Sequence, residues 1–259
     1  DCPSTCNHSF SQTSTCQYMN MNNTPNYPDG KYCINSQAPP PKSPEDYRHA
    51  SMVMSRIAQT QQTNQQSGRN ASNAEIVVYN GESAGHVNTT QALQALANEG
   101  VQSINISWYN PLYTLQYSKT NQEFDSFIRD TDIEVYRAAG NVPVTGQEVV
   151  CQDNNTICVG GSDALSSYHT VDDDTRPDIA AWRNQDDGSG NRLDIEEPDV
   201  VSEAHEARVI DPLVWQTGWD QFMKAKGTSF AAPTVMGMYA LKAEQCGDLT
   251  ARSVRAEMK

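Results

Sequence analysis

Two things are scarce in this sequence: long apolar runs and positive charge. No stretch approaches the roughly 20 apolar residues that a membrane-spanning helix needs, and the mean hydropathy is -0.65. No membrane span is expected, and the chain opens at Asp1 with no signal peptide. Only 18 Lys and Arg stand against 32 Asp and Glu, a net charge of -14. That balance, with no basic run anywhere, argues against a nucleic-acid partner, which needs clustered cations to displace phosphate counterions. Also missing is any Pro/Gly/Ser linker that would divide the 259 residues. One domain over 1–259 is expected, close to the upper limit of what a single core supports.

Cysteine is not scarce. Of the seven, Cys2, Cys6, Cys16 and Cys33 fall in the first 33 residues, more than a cytosolic enzyme usually carries without a metal site, so a secreted protein is the better reading. Their spacings match no usual zinc-knuckle pattern. Cys151 and Cys158 bracket a turn-rich segment and suit a short disulfide loop if their flanks pair. The odd count leaves one thiol over, either Cys246 or a cysteine near the N-terminus, unless its partner lies outside the chain.

Residues 1–45 are rich in Asn, Ser, Thr, Pro and Cys and show no sustained periodicity, which predicts a Cys-rich loop region. From Asp46 onward the pattern changes to a core. A helix is predicted over Ser51–Gln62, a buried strand over Ala74–Tyr79, a helix from Thr89 or Thr90 through Ala97, a strand over Val101–Trp108 and a helix over Asn121–Asp130. Ile133–Ala139 and Thr156–Gly160 read as strands, residues 161–225 as loop-rich and acidic, and Ser229–Cys246 as a long apolar helix. Strands alternating with helices imply an α/β domain whose mostly parallel sheet is covered on both faces.

The most specific local signal is Gly227-Thr228-Ser229-Phe230-Ala231-Ala232-Pro233. It sets a hydroxyl at the start of a buried helix, where unsatisfied backbone N–H groups and the positive end of the helix dipole favour a developing anion. The plain alternative is an ordinary helix N-cap with a proline in the first turn. The segment resembles the nucleophile motif of the subtilisin-like serine peptidases, Gly-Thr-Ser-x-Ala-x-Pro, at every fixed position. That family's catalytic residues follow the chain order Asp, His, Ser.

The resemblance extends to other segments. His49 opens His-Ala-Ser-Met-Val-Met-Ser-Arg-Ile-Ala, similar to the family's His-Gly-Thr-x-Val-Ala helix, with Ala50 where the family has Gly. His8, His86, His169 and His205 lie in polar, loop-like surroundings and are expected to be solvated side chains. Ala138-Ala139-Gly140-Asn141 looks like the family's Ala-Ala-Gly-Asn, whose Asn amide donates to the oxyanion; taken alone, Gly-Asn would be a turn. Val101–Pro111 resembles the strand along one side of the substrate cleft, with Ser107-Trp108-Tyr109 in place of Ser-Leu-Gly. Ser107, Trp108, Tyr109 and Gly140 are thus the implied substrate-binding residues, a peptide pairing with that edge by strand addition. Ile157–Gly161 and Glu197–Val201 resemble later family segments, although Ser202-Glu203-Ala204 departs from the usual Ala-Pro-Gly.

The aspartate is the least marked member. The family's Asp-Ser/Thr-Gly is absent, but Asp1, followed at a few residues by Asn7-His8, resembles the stretch that carries it; Asp29 and Asp46 are the rivals. The resemblance covers residues 46–259 well and 1–45 thinly, and implies a core trimmed at both ends, with a pro-segment or upstream domain in the parent protein. It implies a secreted serine endopeptidase acting on protein or peptide substrates, in which His49 activates Ser229, Asp1 orients His49 and Asn141 binds the oxyanion through an acyl-enzyme cycle. No organic cofactor is implied. Calcium is a family-level expectation that the acidic cluster Asp172–Asp174 does not specify. The alternative is an inactive domain that keeps the fold as a binding or regulatory module. An acid-active relative with a Glu/Asp pair fits less well, because Asn141 stands where such enzymes place an Asp.

Overall fold

The computed structural model describes residues 32–34, 44–58, 76–78, 82–83, 86–87, 89–107, 117–141, 151–164, 174–175, 183–186, 192–205, 207–210 and 222–246. Strand β1 (Tyr32–Ile34) precedes helix α1 (Pro44–Ala58), β2 (Ile76–Val78), β3 (Glu82–Ser83) and β4 (His86–Val87). Next come α2 (Thr89–Asn98), β5 (Ser103–Ile106), α3 (Lys119–Thr131), β6 (Glu134–Ala138) and β7 (Ile157–Ala164). The short strands β8 (Asp174–Thr175), β9 (Arg183–Asp186), β10 (Arg192–Glu197), β11 (Val200–Glu203), β12 (Ala207–Ile210) and β13 (Phe222–Ala225) lead into α4 (Thr228–Cys246).

The central sheet runs β11-β7-β6-β5, and all three of these pairings are parallel. Its register sets Ile104 beside Val135, Tyr136 beside Ile157 and Val159 beside Val200. Successive side chains of a strand point to opposite faces, and β6 uses both. Val135 packs with Leu93, Ile104, Phe124 and Ile128 beneath α2 and α3. Tyr136 and Ala138 pack with Ile157, Val159, Ala231, Ala232, Val235 and Tyr239 against α4. A strand buried on both sides is what a parallel sheet with two helical layers requires, so the predicted α/β architecture stands.

Helix α4 lies inside this packing, which is why its sequence is apolar nearly all round. Helix α1 rests against it through a third cluster of Met52, Val53, Ala207, Val209, Ala225 and Phe230. Helix α3 starts at Lys119, two residues before the predicted start, because Ser118 caps it. The Ser118 hydroxyl accepts from the Asn121 N–H (3.4 Å), and the Asn121 side chain accepts from the Ser118 N–H (2.9 Å).

Three expectations need correction. The Cys-rich N-terminal region holds a strand, β1, which pairs in parallel with β2 from Tyr32↔Ile76 to Ile34↔Val78. Helix α1 begins at Pro44 rather than Ser51; proline is well suited to a first helical turn, where its missing N–H has no partner to lose. The stretch expected to be loop-rich, 161–225, carries the end of β7 and six short strands in its described parts. Of these, β12 and β13 form an antiparallel pair from Ala207↔Ala225 to Ile210↔Phe222.

Candidate active site

Ser229 stands in the first turn of α4, where backbone N–H groups have no intrahelical acceptor. The turn before it depends on Gly227, held at φ 142°, a conformation that side chains with a Cβ rarely adopt. Its N–H donates to the Ala204 carbonyl (2.8 Å), and its own carbonyl accepts from the Phe230 N–H (3.0 Å). The Ser229 hydroxyl donates to the Ser107 carbonyl at 3.2 Å, and the Ser107 hydroxyl donates to the Ser229 carbonyl at 2.7 Å. The two serines are therefore cross-linked, one from the end of β5 and one from the start of α4. Asn105 Nδ2 donates to the Ser107 hydroxyl from two residues upstream, at 3.0 Å.

Asn141, just past the end of β6, faces the same helix start. Its Oδ1 accepts from both the backbone N–H of Thr228 (2.8 Å) and the Thr228 hydroxyl (2.9 Å). The Gly140 N–H in turn donates to that hydroxyl at 3.1 Å. With Oδ1 committed as an acceptor, the amide is fixed in one sense, and Nδ2 is left as a donor beside the Ser229 turn. Thr228 is almost fully buried (1% exposed), so its hydroxyl cannot turn to water instead. A Cβ at Gly227 would come within 3.1 Å of Asn141 Nδ2. Gly227→Ala is therefore expected to cost about 1–3 kcal/mol in backbone strain and to push the Asn141 amide out of line. A lowered unfolding midpoint together with slower turnover would register both effects, and an unchanged midpoint would contradict the strain.

His49 projects from α1 toward Phe230, the neighbour of Ser229, with ring centroids 5.7 Å apart and planes tilted by 51°. The ring keeps contact with solvent, but the protein packed around it disfavours the imidazolium and pushes its pKa below the ordinary 6.5. Among the described residues no carboxylate contacts it. The angle of α1 on α4 is fixed farther along by a buried Arg56: its Nε donates to Thr234 Oγ1 (2.9 Å), and its Nη2 meets Glu203 Oε2 on β11 (3.2 Å). Thr234 Oγ1 donates onward to the Phe230 carbonyl at 2.8 Å.

The end of β6, close to Asn141, is anchored by residues 151–158, which lead into β7. Cys151 and Cys158 form the expected disulfide, and the Cys151 sulfur lies 3.7 Å from the carbonyls of Arg137 and Ala138. Arg137 is ion-paired with Asp153, both buried, and its guanidinium lies over the Phe124 ring at 4.5 Å. Asp153 also accepts from Thr156 and from Asn121 (3.3 Å).

Of the residues expected at the site, Ser229 and Ser107 touch one another, Asn141 and Gly140 meet through Thr228, and His49 reaches Phe230. Asp1, Trp108, Tyr109, the rival Asp29, and the cluster residues Asp172 and Asp173 lie outside the described residues. His205 is not the solvated side chain expected: it follows β11, is only partly exposed, and its Nδ1 is shielded from solvent. Thr228, Arg56 and Glu203 take part without having been anticipated. Thr228 stands inside the recognised motif, the one signal that could have marked it, whereas the buried role of Arg56 has none in the sequence. Among the described residues no cluster of three or more His, Cys, Asp or Glu could hold a metal ion, and no helix is long and apolar enough to cross a membrane.

A family model described as "Subtilase family" matches residues 7–259. No curated protein matches the chain. Among solved structures, "PatG macrocyclase in complex with peptide" is similar at 17% identity and a TM-score of 0.62, covering 87% of this chain and 74% of that one. "Structure of self-cleaved protease domain of PatA" is similar at 18% identity with a TM-score of 0.62, over 88% and 78%. "Structure of Prenylagaramide maturation protease PagA" follows at 15% identity and 0.58, over 81% and 70%. At such identities the likeness concerns the fold.

Proposed function

Because this chain belongs to the subtilase family, a family of serine peptidases, we propose that it is a secreted endopeptidase that cleaves peptide bonds through an acyl-enzyme on Ser229. In this reading His49 takes the Ser229 proton as the hydroxyl attacks the carbonyl carbon, then returns it to the leaving amine. Water, deprotonated by the same imidazole, releases the acyl group. Asp1 orients His49, and Asn141 Nδ2 with the Ser229 N–H receives the oxyanion. The reaction so drawn needs no organic cofactor.

The observation that carries this reading is the pairing at the start of α4: a hydroxyl in the first helical turn, beside an amide whose oxygen is held by Thr228 and whose nitrogen is left to donate. Strand β5 ends the central sheet among the described residues, which leaves an edge where an extended polypeptide could add by backbone pairing. That favours cleavage within a chain. The disulfide supports an oxidising compartment.

A serine-directed fluorophosphonate tests the assignment, with the adduct mapped by mass spectrometry. Modification of Ser229 that disappears in His49→Ala is expected. A folded chain that takes no label would instead be a binding module.

The histidine also sets a pH dependence. Its neutral form is the base, and the lowered pKa keeps it neutral to more acidic pH than a free histidine. The acid limb of kcat/KM is expected to have its midpoint below 6.5. By linkage, the unfolded chain binds the proton more readily here, so the His49 contribution to stability declines as pH falls from about 6.5 toward the lowered value and levels off below it. A midpoint above 6.5 would contradict this.

A further inference from the structure

An α-helical carbonyl ordinarily accepts the N–H four residues ahead. For Ser229 that residue is Pro233, which lies inside α4 and has no N–H to give. The proline ring also crowds the carbonyl four residues back. The nucleophile's own carbonyl is thus deprived of its helical partner at a place where a peptide oxygen should not go unbonded. The Ser107 hydroxyl donates to this oxygen at 2.7 Å, across 122 residues of sequence, and is itself held by Asn105 Nδ2 at 3.0 Å.

We propose that Ser107 is a positioning residue whose hydroxyl replaces the hydrogen bond that Pro233 cannot make to the Ser229 carbonyl. The replacement changes what the nucleophile is tied to. An amide at position 233 would tie the peptide after Ser229 only to its own helix. The hydroxyl ties it to the end of β5, the edge proposed to receive the substrate backbone. Nucleophile and substrate edge then keep a common register, and the return bond from the Ser229 hydroxyl to the Ser107 carbonyl tightens the same link. A misplacement on the order of 1 Å at this point is enough to slow chemistry about 100-fold. The kinetic half of this inference rests on Ser229 as nucleophile; the replacement of one hydrogen bond by the other does not.

The test is a cycle of four proteins: wild type, Ser107→Ala, Pro233→Ala and the double variant. Pro233→Ala restores an N–H four residues after Ser229, which makes the Ser107 hydroxyl dispensable to that carbonyl. In thermal unfolding, Ser107→Ala is expected to lower the midpoint by about 5 °C with proline present and by clearly less in the P233A background. With a fluorophosphonate, Ser107→Ala should lower the maximal inactivation rate by about 10-fold with little change in the half-saturating concentration. Ser107→Thr should restore the rate, and P233A should recover part of it. Equal midpoint losses in both backgrounds would overturn the proposal, as would a rate that Ser107→Thr fails to rescue. If wild type takes no label, the peptidase assignment fails while the unfolding cycle still decides on the hydrogen bond. If Ser107→Ala alone does not fold, a folded double variant supports the proposal and an unfolded one overturns it.

Discussion

Ser229→Ala and His49→Ala are each expected to lower kcat by roughly 10⁶-fold, and the double variant to lose no more than either alone. The magnitude is the one such losses take in subtilisin, and it is not deduced from this geometry. The pattern follows from the chemistry. A serine hydroxyl is a poor nucleophile until an imidazole accepts its proton, and the imidazole has nothing to do without the hydroxyl, so either deletion removes the same step. What survives is the oxyanion site, which can still stabilise attack by water. On the proposed reading that site does not depend on the imidazole, since Asn141 Oδ1 accepts from Thr228, whose hydroxyl accepts from the Gly140 N–H. Initial rates on a fluorogenic peptide decide the matter. Losses that multiply in the double variant would mean that the two residues act separately, and would transfer the base to another group.

Asp153→Ala is expected to have the largest effect on stability, about 3–5 kcal/mol, because it removes the carboxylate from a buried ion pair. Only 3% of the Arg137 side chain and 0% of the Asp153 side chain are exposed, so water cannot replace the lost carboxylate. The same substitution removes the acceptor for Thr156 and Asn121. Pairing it with a second change separates charge from packing: Arg137→Met with Asp153→Leu should recover most of the loss, since an apolar pair of similar volume avoids the desolvation of two ions. Urea unfolding measures both, and a loss below about 1 kcal/mol for Asp153→Ala would show that the pair behaves like an exposed one. Arg137 lies on β6, which ends at Ala138, three residues before Asn141, so activity should fall with stability.

The long-period features of the fold were legible before the structure. Apolar side chains at helical spacing over nine or more residues marked α2, α3 and α4, those at strand spacing over five to eight marked β2, β5, β6 and β7, and their alternation implied the parallel sheet. The short strands β8 and β9 were not legible, because two to four polar residues such as Arg183–Asp186 carry no periodicity and are set by pairing alone. Nor was β1, whose three residues sit in an Asn- and Ser-rich stretch and gain their place only from β2.

At the candidate site, Ser229, Asn141 and His49 were singled out through motifs, that is, through residues near them in sequence. The contacts that hold them were invisible for the opposite reason. Ser107 with Ser229, Thr228 with Asn141, and Arg56 with Thr234 join residues 122, 87 and 178 positions apart. Glu134 and Arg137 are a further case: charged residues on β6 would be read as facing water, yet both are buried.

Those separations also impose an order in time. Proteins emerge from the ribosome N-terminus first, at about 5–20 residues per second. His49, Ser107 and Asn141 are all made before Thr228, Ser229 and Thr234, the residues that bond to the last two and, through Arg56, brace the helix of the first. For on the order of ten seconds a nascent chain has made Ser107 and Asn141 but not the α4 residues that bond to them. On the proposed reading, Ser107 and Asn141 therefore wait for α4 to dock before either has its partner.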